Sequence, residues 1–277
     1  PRYVGQVSCD PTAKPGTAAL SSLLLAHYKT GYSGGISRSC TVGGTSEHKE
    51  GRAWDWGLDA GNPAEKAQAE RFLTWLLAPG PNGMGAYNAR RLGVMYVIWN
   101  RKVWSQYRAA DGWRKYTGSS AHRDHVHISL TWNGATKRTS WWTGKASATD
   151  YGPCVEVEGA LAPPWRAPRH EPCPAPVPAE SLTGTPLLKR GDSGSYVTQL
   201  QGLLSVEPQS GYFGPLTEAA VVALQKREGL PQSGTTTPPT WAAARAGKGS
   251  VIPTPSEQPV VAGRALPSRM VYRVRRG

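Results

Sequence analysis

The sequence has few cysteines and no long apolar run. Among its 277 residues are four cysteines, Cys9, Cys40, Cys154 and Cys173, without a Cys-x-x-Cys pair, so a zinc site built from cysteines is not expected. No apolar run reaches the roughly 18 residues that a membrane-spanning helix needs. The even number and wide spacing of the cysteines favour disulfides in an exported protein, and of three connectivities we favour Cys9–Cys40 with Cys154–Cys173.

Acidic residues are also scarce. The chain has 19 Asp and Glu against 32 Lys and Arg, which gives a net charge of +13 and a pI of about 9.8. A basic surface concentrates anionic polymers near the protein. Nucleic acid, teichoic acid and the carboxylates of peptidoglycan all meet this description, and charge alone does not separate them.

Length and composition predict one sizeable domain plus a small module. The hydrophobic fraction of 39% excludes wholesale disorder, while 24 prolines and 32 glycines indicate that much of the chain is loop or linker. The chain begins at Pro1 without a charged and then apolar leader. We therefore expect either that an export signal has been removed or that the protein leaves by another route.

Four of the six histidines lie in or next to two short runs. The first is Ser46-Glu-His-Lys-Glu-Gly-Arg-Ala-Trp-Asp55, and the second is Asp124-His-Val-His127, with His122 just before it. Imidazole nitrogens and a carboxylate oxygen are ligands that zinc prefers, and three protein ligands leave a fourth position open. If Val126 begins a strand, His125 and His127 lie on one face, because side chains alternate with period two.

The ordered set Ser46-x-His48-x-x-Gly51-x-Ala53-x-Asp55, followed by Asp124-x-x-His127, resembles a family of zinc peptidases. This family includes D-alanyl-D-alanine carboxypeptidases and the L-alanyl-D-glutamate endopeptidases of phage lysins, within the group shared with lysostaphin and hedgehog domains. The resemblance implies that His48, Asp55 and His127 bind zinc and that Asp124 is the general base. It also implies that Arg38, in Ile36-Ser-Arg-Ser39, clamps the scissile carbonyl oxygen.

One departure from the family leaves the base open. The last element reads His-Val-His-Ile-Ser, closer to the His-x-His of lysostaphin, so Asp124 and His125 are both candidates. Ser46 and His122 are assigned to the substrate side of the cleft, and His122 has a second possible role in orienting a ligand.

The pattern of elements predicts an α+β domain with a mostly antiparallel sheet. Ala53 to Leu58 is typical of a strand with Asp55 on one face and Trp54 and Trp56 on the other. Asn62 and Pro63 are suited to begin a helix that runs to Ala78. Val94 to Trp99 is β-branched and aromatic, which indicates a central strand. A tryptophan-rich groove in this domain could hold the faces of sugars or peptides, although core packing is the commoner use of tryptophan.

The C-terminal part, from Leu187-Leu-Lys-Arg-Gly-Asp192 through Gly211-Tyr-Phe-Gly-Pro-Leu-Thr217 to Thr240-Trp241, resembles a three-helix peptidoglycan-binding module. A core at helical spacing supports this resemblance: Val197, Leu200, Leu204, Ala220, Val221 and Leu224. Asp192, Tyr212 and Arg227 are wall-binding candidates on grounds of polarity and expected exposure, and an ordinary solvated surface is the alternative for each.

These observations divide the chain into four parts. The catalytic domain is predicted at 1–155, a proline-rich spacer at 156–185, the binding module at 186–249 and a basic flexible tail at 250–277. The predicted protein is a secreted zinc peptidase that hydrolyses an amide bond in the stem peptide or cross-bridge of peptidoglycan. Anionic wall polymers are a further expected partner, and nucleic acid is not. The alternatives are a wall-binding protein with a vestigial metal site and a metal-dependent nuclease.

Overall fold

The computed structural model describes residues 3–80, 85–144, 156–157, 160–161 and 182–248. Two separate hydrophobic cores organise this part of the chain, one beneath a β-sheet and one among C-terminal helices. The fold is therefore α+β with a small helical module, as predicted from the sequence. No helix in the described ranges is long and apolar enough to cross a membrane.

A six-stranded antiparallel sheet forms the N-terminal domain. Its strands are β1 Tyr32–Gly35, β2 Ala53–Gly57, β3 Val94–Trp99, β4 Lys102–Ser105, β5 Arg114–Lys115 and β6 His125–Leu130. They lie in the spatial order β1-β2-β6-β3-β4-β5. Because β6 lies between β2 and β3, His127 is directly opposite Asp55 on one side and Ile98 on the other.

Helices cover one face of the sheet. They are α1 Pro15–Tyr28, α2 Pro63–Leu77, α3 Tyr87–Leu92, α4 Trp132–Ala135 and α5 Ser140–Thr143. The predicted start of α2 is confirmed, since the Asn62 side chain accepts hydrogen bonds from the amides of Ala64 and Glu65. Trp54 and Trp56 are fully buried in the core on this face. The alternation predicted for β2 is thus correct, and it leaves Asp55 on the opposite face.

The C-terminal module consists of three helices, α6 Ser195–Leu203, α7 Pro215–Arg227 and α8 Pro238–Ala243, followed by one π-helical turn, Ala244–Lys248. Each of the six residues predicted to form its core is buried in one cluster, together with Phe213 and Trp241. The helical character predicted for this part of the chain is confirmed.

Most of the predicted spacer and all of the predicted tail fall outside the described residues, as does the predicted Cys154–Cys173 pair. Within the spacer, a short antiparallel ladder joins β7 Glu156–Val157 to β8 Ala160–Leu161.

Candidate metal centre

Three side chains from two neighbouring strands and one turn converge on the face of the sheet opposite Trp54 and Trp56. Asp55 Oδ1 lies 2.9 Å from His127 Nδ1 and 3.2 Å from His48 Nε2, and the two nitrogens are 3.3 Å apart. Both imidazoles are buried, while Asp55 is partly exposed. The residues that sequence resemblance implied as ligands therefore lie close enough together to share one ion.

The hydrogen positions at this site leave acceptor atoms facing one another. His48 Nδ1 donates to the carbonyl oxygen of Ile36 at 2.9 Å, so Nε2 of the neutral ring presents its lone pair to the cluster. Neutral His127 carries one ring hydrogen. On Nδ1 this hydrogen can bond to only one of Asp55 Oδ1 and His48 Nε2, and on Nε2 it bonds to neither. At least one acceptor of the cluster therefore remains without a donor, which is unfavourable unless a cation lies between these atoms. This donor set fits a divalent metal ion.

The charge balance of the site supports the same conclusion. Burial alone would raise the pKa of the Asp55 carboxyl, but its contacts with the His127 and His48 rings lower this pKa well below its usual value. Burial lowers the pKa of His127 even though Asp55 opposes the shift. At neutral pH the site therefore holds an ionised carboxylate beside a neutral imidazole, which are the protonation states that metal ligands require.

A 3₁₀ turn, Glu47–Glu50, places His48. The Ser46 hydroxyl accepts from the His48 amide at 3.4 Å and begins this turn. Gly51 ends it with φ +63°, and a Cβ here would lie 2.0 Å from the carbonyl oxygen of Thr12. Only glycine fits this position, which explains why the motif contains one.

Buried charges and a disulfide hold the N-terminal segment against the same turn. Arg52 donates to Glu50 at 2.7 Å, and both side chains are fully buried. The other oxygen of Glu50 accepts from the amides of Val7 and Ser8. The predicted Cys9–Cys40 disulfide is present and ties this segment to the loop before His48. The turn that carries His48 is thus fixed from two sides.

His125 and His122 border the cluster. His125 lies on the same face of β6 as His127, with Nε2 3.6 Å from Asp55 Oδ1 and Nδ1 2.9 Å from Asp124 Oδ1. The Asp124 side chain is 81% exposed. His122 Nδ1 is hydrogen-bonded to the Ser120 carbonyl, and burial lowers the pKa of His122 to about 4, so this ring is neutral at pH 7. His122, His125 and His127 form a second group whose nitrogens could share an ion.

The two other residues predicted for the cleft, Arg38 and Ser46, both contact the backbone of His48. Arg38 is exposed, its amide donates to the His48 carbonyl at 3.2 Å, and its guanidinium has no polar partner within the described ranges. The Ser46 hydroxyl is engaged in the turn and its amide bonds to Gln6, so the structure gives this residue a positioning contact.

Sequence reasoning missed Tyr96, which stacks on His127 with ring centres 5.5 Å apart and donates to buried Glu47 at 2.6 Å. It also missed Ser129, whose hydroxyl is 3.3 Å from His127 Nε2. The period of two along β6 places Ser129 on the face of His125 and His127 and could have indicated it. Nothing in the sequence pairs Tyr96 with this site.

The three wall-binding candidates differ in exposure. Arg227 is exposed and contacts Glu228, and Asp192 is partly exposed with its carboxylate accepting from the Lys189 amide. The expected exposure is wrong for Tyr212, which is 7% exposed. Its ring stacks on Trp132 and its hydroxyl donates to Asp10 at 2.7 Å. Tyr212 is buried because it joins the module to the N-terminal domain.

Two families of known proteins match separate parts of the chain. A family described as VldE, C-terminal domain, matches residues 9–127, and a family described as a peptidoglycan binding domain matches residues 193–244. Each match covers less than half of the chain. No curated protein and no solved structure matches it. The second similarity supports association with the cell wall, with peptidoglycan as the partner.

Proposed function

We propose that this chain is a zinc-dependent peptidase that hydrolyses an amide bond in the stem peptide or cross-bridge of peptidoglycan. The observation that carries the proposal is the convergence of His48, Asp55 and His127 within 3.3 Å of one another. In the same chain a module similar to peptidoglycan-binding domains would hold the enzyme at its substrate and raise the effective substrate concentration at the cleft.

Zinc suits these ligands. Two imidazole nitrogens and one carboxylate oxygen are a common catalytic zinc set, and they leave a coordination position free. When bound, the ion would act as a Lewis acid and lower the pKa of a coordinated water from about 15.7 to about 7. The protein contributes the orientation of the ligands: the Ile36 carbonyl fixes the His48 ring, and Tyr96 and Ser129 contact the His127 ring.

We assign the general base to His125 and a positioning role to Asp124. The Asp124 carboxylate accepts from Nδ1 of His125, so Nε2 carries the lone pair and points toward Asp55. His125 Nε2 would take the proton of the attacking water and return it to the leaving amine. Asp124 itself is far more exposed, and it reaches the cluster through His125.

The oxyanion partner in this proposal is Arg38. Its backbone bond to His48 anchors it at the edge of the cluster, and its guanidinium is unpaired within the described ranges. A cation at this position would stabilise the charge that develops on the scissile carbonyl oxygen. Removal of one such donor typically costs about a hundred- to a thousandfold in rate.

The test uses His48→Ala and His127→Ala in the full chain. We expect both variants to lose bound zinc, measured by mass spectrometry of metals, and to release no new amino groups from purified sacculi. Binding to sacculi should be retained, because it depends on the module. His27→Ala is the matched control, since His27 is exposed on α1 and far from the motif in sequence. Full amine release by zinc-free protein would refute the proposal, and sacculus binding without release by the zinc-loaded parent would favour the non-catalytic alternative.

A further inference from the structure

A cavity of about 440 Å³ opens on the face of the sheet opposite the histidines. It lies where α2 passes the tip of the β3–β4 hairpin. Trp99 lines the cavity. Its neighbour Ile98 is the strand partner of His127, and successive side chains of a strand point to opposite faces, so Trp99 lies on the face away from His127. A ligand in this cavity would therefore leave the metal cleft free. Its volume falls within the range of about 300–1,000 Å³ that is usual for small-molecule sites.

The lining combines aromatic surface with hydrogen-bonding groups. Trp99 is 4% exposed, whereas Trp113 is 37% exposed and is the one exposed tryptophan in the described part of the chain. Glu70, Asn100 and Lys102 supply a carboxylate, an amide and an ammonium group around the two indoles. Apolar ring faces bordered by both donors and acceptors match a pyranose, which has an apolar C–H face and a rim of hydroxyls.

The hairpin tip connects this cavity to the metal cleft. The backbone N–H of Asn100, a residue that lines the cavity, donates to the His122 carbonyl at 2.6 Å. The backbone N–H of Arg101 donates to the Ala121 carbonyl at 2.8 Å. A polymer bound at the tip would therefore lie next to the loop that carries His122. A side branch of that polymer could reach the opposite face around the edge of the hairpin.

We propose that this cavity binds saccharide units of the glycan strand and so presents the attached stem peptide to the metal cleft. The proposal rests on association with peptidoglycan and not on the hydrolytic activity. Saccharide binding in this cavity and hydrolysis at the metal cleft can therefore fail independently.

The test measures binding of the soluble trimer of N-acetylglucosamine to the full, zinc-free chain by isothermal titration calorimetry. We expect Trp113→Ala to weaken binding about tenfold, through loss of one stacking face, and Trp113→Tyr to restore most of it. Tyr32→Ala, which removes an aromatic ring that is 65% exposed elsewhere on the sheet, should bind as the parent does. Equal affinity of Trp113→Ala and the parent, or no binding by the parent, would overturn the proposal.

Glu70→Gln separates a sugar from a peptide in the same cavity. A neutral saccharide accepts and donates hydrogen bonds to either side chain, so its affinity should change little. The cationic amine of a stem peptide would instead lose an ion-pair partner. Displacement of the trimer by free stem peptide, with strong weakening of that peptide in Glu70→Gln, would show that the cavity is a peptide site and contradict the assignment.

Discussion

Buried polar side chains serve different purposes in the two halves of the molecule. In the module, Gln201 is 1% exposed and every polar atom of its side chain is paired. Its oxygen accepts from the Gly211 amide, and its nitrogen donates to the Tyr212 carbonyl and the Thr217 hydroxyl. Gln225 repeats the arrangement with Gly234, Thr235 and Thr240. Both glutamines hold a turn together.

At the sheet, His48, Asp55 and His127 are brought together without enough hydrogens to pair them. A protein that needed these residues only for stability would gain nothing from a buried acceptor that has no donor in the cluster. The contrast teaches that full pairing indicates a structural role, whereas convergence of unpaired acceptors indicates a site for a ligand. Substitutions at the sheet site should therefore lower activity more than stability, whereas substitutions of the paired glutamines in the module should lower stability alone.

The largest expected effect is on activity at the sheet. His125→Ala should lower amine release from sacculi by about 10²- to 10⁴-fold, the usual contribution of a general base, while zinc content and thermal stability stay near those of the parent. Asp124→Ala should cost less, because the carboxylate is 81% exposed and acts through His125. A severe loss in Asp124→Ala with little change in His125→Ala would transfer the base to Asp124.

A smaller effect, on stability alone, is expected in the module. Gln201→Leu leaves the Gly211 amide without its acceptor and should cost about 1–3 kcal/mol. Hydrogen exchange of the 211–217 segment would report this loss locally. The matched control is Gln209→Leu, because Gln209 is exposed and its nitrogen contacts only Glu207, so a change within about 0.5 kcal/mol is expected. Equal losses of stability in Gln201→Leu and Gln209→Leu would contradict the structural role assigned to the paired glutamine.

The sequence predicted the elements whose signals are local. Asn62-Pro63 marks the start of α2, the alternation around Asp55 separates core from site, and helical spacing gives the core of the module. The three proposed ligands were implied by an ordered motif. Their convergence depends on strand order, since β6 must pair with β2 to place His127 opposite Asp55.

Contacts between distant segments could not be read in this way. Tyr96 reaches His127 because β3 is the other neighbour of β6. Tyr212 has the polarity of an exposed residue, and its burial depends on Trp132 and Asp10, which lie far away in the chain. The paired glutamines did carry a signal, because Gln201 and Gln225 each precede a glycine by nine or ten residues, but a single glutamine on a helix is usually solvated.

The smallest expected effect concerns one of the contacts that join the two regions, the one made by Tyr212. Burial alone would raise the pKa of Asp10, but the hydrogen bond from Tyr212 and the charge of Lys14 outweigh it and hold this pKa below its usual 3.8. Such a carboxylate stabilises the folded state fully above pH 3.8, and its contribution is lost as the pH falls through the lower folded value. Tyr212→Phe keeps the ring on Trp132 and removes only the hydroxyl. The variant should therefore be less stable than the parent by about 1 kcal/mol at pH 7, and thermal unfolding should show this difference shrinking below pH 3.8. A difference that stays constant down to pH 2 would mean that the hydroxyl acts through packing, and that the two regions are joined by their aromatic stack rather than by the charge of Asp10.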